Sequence, residues 1–294
     1  MRGIDHLVID VEDLDTGRAF YERLGFTMTP RAQHPFGTGN SLAQLQGGFL
    51  EVLSVTEPEN VPEAEPGHFS FGAFNREFLA SRVDQGGGMS MLVLRTDDAD
   101  ADRALWSAAG LTTYAPFGFE RLARQPDGSD VTMGFSLAFA TDARMPDAVW
   151  FSCQHRHAPE HFYKPKFQAH ANTATHIAAA GLVADDPWSL ADFFEGLVGA
   201  GAIGRTDDGL EVQLAEATLR VLSPDALDAR FDGLMPPVDP SSPHFFGCAV
   251  ACADLDAARR CLVGAEIPFR DTGDRVWVAP EHASGSLIGF VSVD

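Results

Sequence analysis

The feature that most constrains this chain is a repeat. His6-Leu-Val-Ile-Asp-Val-Glu-Asp-Leu-Asp15 aligns without a gap over Met91-Leu-Val-Leu-Arg-Thr-Asp-Asp-Ala-Asp100, and the match runs on through Phe20–Phe26 over Leu105–Leu111. Two further copies follow, at Ala179–Asp186 with Asp192–Leu197 and at Gly247–Asp256 with Ala257–Leu262. Each copy reads as an apolar strand, an acidic helix start and an amphipathic helix. The Asp before each helix can accept from free backbone N–H groups and complement the helix dipole. Gly25 and Gly110 follow helix ends, where a residue without Cβ turns the chain.

After each helix come short β-like segments: Thr27–Pro30, Ser41–Gln46 and Phe49–Val55 in the first copy, and Thr112–Pro116, Val131–Thr141 and Ala148–Cys153 in the second. The third gives Ala202–Thr206, Leu210–Ala215 and Thr218–Leu222, and the fourth Ile267–Asp271, Arg275–Ala279 and Ser286–Val293. The expected fold is therefore α+β, built from four βαβββ modules paired into two cup-shaped mixed-sheet domains. Residues 57–88, Pro- and Glu-rich and then aromatic (Phe69, Phe71, Phe74, Phe78), read as a linker with a short helix between the first two modules. The expected boundaries are 1–158 for modules one and two, 159–172 for a crossover linker, and 173–294 for modules three and four.

Composition narrows the function. With 294 residues, 45% of them hydrophobic, the chain can build two sizeable cores. A formal net charge of −21 with no basic cluster argues against a nucleic-acid partner and against an anionic membrane surface. Four cysteines, at 153, 248, 252 and 261, are too few and too uneven for a disulfide framework, and Cys248 with Cys252 falls short of a zinc motif. No apolar run is long enough to span a bilayer, and the first residues enter a strand at once, so a cytoplasmic location is expected. No Gly-rich phosphate loop follows a strand, so no nucleotide cofactor is expected.

His6 on the first strand and Glu51 on Phe49-Leu-Glu-Val-Leu-Ser-Val55 stand out, because a buried carboxylate is costly without a partner. Four βαβββ units with this His and Glu resemble the vicinal oxygen chelate superfamily, which includes glyoxalase I, extradiol dioxygenases, fosfomycin-resistance proteins and bleomycin-binding proteins. The segments His34-Pro-Phe-Gly-Thr-Gly-Asn40, Phe49-Leu-Glu51, Cys153-Gln-His155 and His170–Ala174 are similar to its glyoxalase-like domain branch. The resemblance implies a cup with metal ligands on first and last strands, carried here onto His6 and Glu51, which suit a divalent ion such as Zn, Fe, Mn or Ni.

The other modules depart from that pattern. At the first-strand position they carry Met91, Ala179 and Gly247, and at the last-strand position Trp150 or Phe151, Arg220 and Gly289. The metal candidates are thus His6 and Glu51. Glu51 and His34 are the catalytic candidates, and Asn40 and His155 the substrate-binding ones. For His34 and Asn40 a plain turn over Pro35–Gly39 is the competing explanation. Among the crossover histidines, His157 and His161 lack a third ligand, and His176 and His244 sit at an odd offset that turns them from the cup.

Two functions remain open on the sequence. One is a divalent-metal-dependent lyase, isomerase or oxygenase acting on a small oxygenated molecule. The other is a metal-free small-molecule binding protein of the antibiotic-sequestering type. Modules three and four are expected to be structural, packing against the first cup or mediating a homodimer.

Overall fold

The computed structural model describes residues 1–125, 128–235 and 242–293. The first half folds as β1 (Ile4–Val11), α1 (Leu14–Arg23), β2 (Ala32–Gln33), β3 (Thr38–Leu45), β4 (Gly48–Val55), α2 (Phe71–Ser81), β5 (Gly87–Arg95), α3 (Ala99–Ala108), β6 (Thr112–Thr113), β7 (Phe117–Arg124), β8 (Asp130–Thr141) and β9 (Val149–His155). The short helix α4 (Pro159–Phe162) leads across to β10 (Ala174–Val183), α5 (Ala191–Val198), β11 (Ile203–Thr206), β12 (Gly209–Gln213) and β13 (Thr218–Leu222). After α6 (Pro224–Phe231) come β14 (His244–Cys252), α7 (Leu255–Gly264), β15 (Arg270–Asp271), β16 (Arg275–Val278) and β17 (Leu287–Ser292).

The strands form two curled mixed sheets, ordered β2-β3-β4-β1-β5-β9-β8-β6, with β7 on β8, and β11-β12-β13-β10-β14-β17-β16-β15. Within each module the first and last strands run parallel, and the first strands of paired modules run antiparallel, β1 against β5 and β10 against β14. The four-module α+β reading is what is observed, two modules to a sheet.

The helices start where the acidic positions place them. Asp13, Asp98 and Asp254 accept from the backbone N–H of Thr16, Ala101 and Asp256, each filling a free donor of the first turn. Gly25 and Gly110 turn the chain at φ +93° and +83°. One apolar core joins the convex faces of both sheets to the helices between them, through Leu7, Ile9, Leu14, Tyr21, Trp106, Trp150, Phe193, Phe194, Leu197, Val250, Leu262 and Phe290. Trp106 locks across this core, its indole N–H donating to the Leu197 carbonyl at 3.0 Å. The concave faces carry separate clusters, one aromatic-rich in the first cup and a smaller one in the second.

Two local expectations need correction. Thr27–Pro30 is not a strand; the edge strand is Ala32–Gln33. Phe117–Arg124, between the expected segments Thr112–Pro116 and Val131–Thr141, is a full strand paired with β8. Within 159–172, α4 brings Phe162 against Phe49 and Phe135 inside the first cup. No helix among the described residues is long and apolar enough to cross a membrane.

Candidate functional site

Strand alternation puts Val8 and His6 on the concave face of β1, and the parallel register sets Val8 against Glu51 on β4. The equivalent pairs in the other modules are Val93 with Phe151, Gly181 with Arg220, and Ala249 with Gly289. The residue in Glu51's place in module two is therefore Phe151; Trp150 faces the shared core, packed on Phe193 and Phe194.

His6 is the hub of the site. Its Nδ1 lies 2.7 Å from Asp5 Oδ1 and its Nε2 lies 3.3 Å from Glu51 Oε2, while its ring stacks on Phe49 at 4.3 Å. All three polar residues are buried. Burial opposes the imidazolium, but the hydrogen bonds it donates to Asp5 and Glu51 outweigh it and raise the His6 pKa to about 9. Burial likewise works against both carboxylates, and their histidine partners hold Asp5 and Glu51 below the ordinary range.

Asn40 and His34 extend the network. Asn40 Nδ2 donates to Glu51 Oε1 at 2.5 Å and lies 3.2 Å from His34 Nε2, and His34 Nδ1 lies 2.9 Å from Thr38 Oγ1. The Asn40 side-chain oxygen is buried and without a partner among the described residues. Burial drops the His34 pKa to about 4, so its ring is neutral at neutral pH. The sequence candidates His6, His34, Asn40 and Glu51 therefore meet at one place. His155 does not line the cavity; its Nε2 reaches Asp5 at 3.3 Å behind it. His157 is bound to the Gly134 carbonyl, His170 is bound between Thr27 N–H and the Gln44 carbonyl, and His176 lies outside both cups.

Two residues of the site were invisible to strand periodicity. Asp5 should point away from His6, but the β1–β5 register shifts between Ile4 and His6, and this bulge brings its carboxylate to the imidazole. Arg121 comes from β7, whose alternation turns Phe119 and Arg121 into the cup. Among the described residues no hydrogen bond or ion pair engages the Arg121 guanidinium, on which Glu51 acts only through space.

The cavity beside His6 and Glu51 holds about 50 Å³, room for one or two waters, and its walls include Phe36, Phe71, Phe119 and Phe151. A groove of about 600 Å³ borders it, and the two share Asn40, Leu42, Arg121 and Phe162 in their walls. The groove wall carries Arg31, Arg121, Arg124 and Lys164 and no carboxylate among the described residues, in a chain whose net charge is −21.

A metal can be tested against these donors. His6 Nε2, the Glu51 carboxylate and the orphaned Asn40 oxygen form an N,O donor set suited to a hard or borderline divalent ion. Asp5 on the other imidazole nitrogen is the second partner that metal-bound histidines habitually carry. The donor chemistry fits a two- or three-ligand site with open positions. Asp5, Cys153 and His155 form a second group, with ligand atoms all within 4.8 Å of one another.

The paired βαβββ cups, with His and Glu on first and last strands, define a vicinal oxygen chelate protein. The family model described as a glyoxalase-like domain matches residues 4–198, and the chain belongs to that family. No curated protein sequence matches it. A hypothetical protein from Staphylococcus aureus shares the fold at 12% identity and TM-score 0.67, with 100% of each chain covered. A mutant 4-hydroxymandelate synthase from Streptomyces coelicolor gives TM-score 0.57 at 12% identity over 99% of this chain and 92% of that one. The Mn(II)-bound glyoxalase from Novosphingobium aromaticivorans gives 0.54 at 13% over 99% and 81%. At these identities the likeness is one of fold.

Proposed function

We propose that this protein is a divalent-metal-dependent enzyme of the lyase, isomerase or oxygenase kind, acting in the first cup on a small oxygenated molecule that bears an anionic group. One observation carries the reading: His6 is held between Asp5 and Glu51, 2.7 and 3.3 Å away, beside an aromatic cavity whose wall includes the unengaged Arg121. The metal-bound state of the Novosphingobium glyoxalase is consistent with it.

His6 Nε2 and the Glu51 carboxylate would hold the ion, with Asp5 fixing the ring's orientation and Asn40 Oδ1 offered beside them. Bound there, a divalent ion supplies Lewis-acid polarisation of a substrate oxygen. Arg121 binds the substrate's anionic group, drawn in by the cationic groove. The phenylalanine walls exclude water and strengthen each charge interaction inside. His34, neutral at neutral pH, accepts from Asn40 Nδ2 at its Nε2 and so orients the Asn40 amide beside Glu51 and the substrate.

The test uses tag-free protein stripped with chelator and titrated with Mn(II), Zn(II) or Fe(II). Saturation should raise the melting temperature by roughly 5 °C. His6→Ala and Glu51→Ala should abolish the rise while keeping the circular dichroism of the fold. No stoichiometric metal and no rise would sink the metal-dependent reading. In that case the metal-free binding protein stands, a reading favoured by Met91 and Phe151, which occupy both ligand positions of module two.

A further inference from the structure

The second cup lacks every metal-capable side chain at its ligand positions, yet it is not filled. Its cavity holds about 220 Å³, the volume share of about seven waters, against about 50 Å³ in the first. Substitution by small residues creates the space: Ala179 and Gly247 stand where module one has His6, and Gly289 stands where it has Glu51.

Two aromatic rings use part of that space. A Cβ at Gly181 would fall 2.0 Å from the ring of Phe246, and one at Gly289 would fall 2.2 Å from Trp277, so both rings lie across bare backbone on the cup floor. Phe231 meets each edge-on, at 5.6 and 5.1 Å. The result is an aromatic wall of three rings facing an open cavity.

Among the described residues the charged groups of the lining are Arg220, Arg230, Arg275 and Asp274, set among small and aliphatic side chains. Among the described residues each arginine meets its ion-pair partner through one nitrogen: Arg220 Nε lies 3.0 Å from Glu211, Arg230 Nη1 lies 3.4 Å from Asp208, and Arg275 Nε lies 3.2 Å from Asp274. Burial lowers the Arg230 pKa, the charges of Arg220 and Arg275 lower it further, and Asp208 and Glu211 act against them, so the three heads lie within one another's electrostatic reach. Such clustering is out of character in a chain of net charge −21. Three guanidinium groups beside flat apolar rings recognise a carboxylate attached to a planar apolar body.

We infer that the second cup is a metal-independent binding site for a small aromatic carboxylate, with Arg220 and Arg275 pairing its carboxylate and Phe246 and Trp277 packing its ring. The site is separate from the first cup and does not depend on the reaction carried out there.

Benzoate is the probe, titrated calorimetrically into the full chain and followed in parallel by fluorescence. Trp277 is the reporter, because Trp106 and Trp150 are fully buried in the shared core and Trp188 lies on the surface. Benzoate should bind and perturb the Trp277 signal, and that perturbation should vanish in Trp277→Phe. The neutral isostere benzamide and the ringless acetate should each bind at least ten-fold more weakly. Arg220→Gln and Arg275→Gln should each weaken benzoate at least ten-fold while the protein still melts cooperatively. Equal affinity for benzamide, or undiminished benzoate binding in both Gln variants, overturns the inference. So does binding lost in Arg121→Gln but kept in the second-cup variants, which would put the anion in the first cup.

Discussion

Replacing Asp5 by Asn tests the charge network on which the first cup rests. In metal-stripped protein the folded state holds the His6 proton with a pKa of about 9 against the ordinary 6.5. At about 1.36 kcal/mol per pKa unit, this imidazolium contributes about 3 kcal/mol of stability. A raised pKa means the contribution is complete below pH 6.5 and lost as pH climbs through 9. Of the two carboxylates responsible, Asp5 is the closer, at 2.7 Å against 3.3 Å for Glu51. A hydrogen bond to a charged group contributes about 1.5–3 kcal/mol, so Asp5→Asn should remove on the order of 2 kcal/mol of the loss between pH 7 and 9.5. The assay is urea unfolding at both pH values for the two proteins. Burial raises the Cys248 and Cys252 thiols to about 12, which adds an alkaline loss of its own, but that loss is common to both proteins and cancels in the difference. Asp5 is ionised across the whole window and adds no slope. An identical fall in stability for wild type and variant would refute the network.

Further outcomes follow from the same geometry. Because metal uptake needs neutral His6, binding Zn(II) at pH 7 should release about one proton, read by calorimetry in buffers of different ionisation enthalpy. Gly289→Val should cost about 1–3 kcal/mol by driving side-chain carbon into the Trp277 ring, seen as a lower urea midpoint. Trp106→Ala should cost about 3–5 kcal/mol, since it empties a fully buried site and unmakes the bond to Leu197 that ties the two halves. Arg220→Ala should leave metal uptake in the first cup unchanged, because Arg220 belongs to the other sheet.

Much of this architecture is legible in the chain because local and global signals agree. The gap-free repeat places the first strands, the aspartates mark helix starts, and period-two alternation puts His6 and Glu51 on one face. The register then sets Phe151, Arg220 and Gly289 at Glu51's position in the other modules. Asp5 was hidden because alternation assumes a regular strand, and a bulge of one residue reverses the side chain's face. Arg121 was hidden because β7 mixes an outward Leu122, 71% exposed, with an inward charge, which inverts the usual strand signature. Phe162 belongs to a stretch that reads as polar crossover, and its role depends on contacts with distant strands that no local pattern encodes.

The central claim is a metal held by His6 and Glu51, and anomalous X-ray scattering from crystals soaked in Mn(II) or Zn(II) tests it most directly. The account predicts one peak within about 2.0–2.3 Å of His6 Nε2 and a Glu51 carboxylate oxygen, absent in His6→Ala. A peak at Asp5, Cys153 and His155 instead, or no peak in either cup, would contradict it.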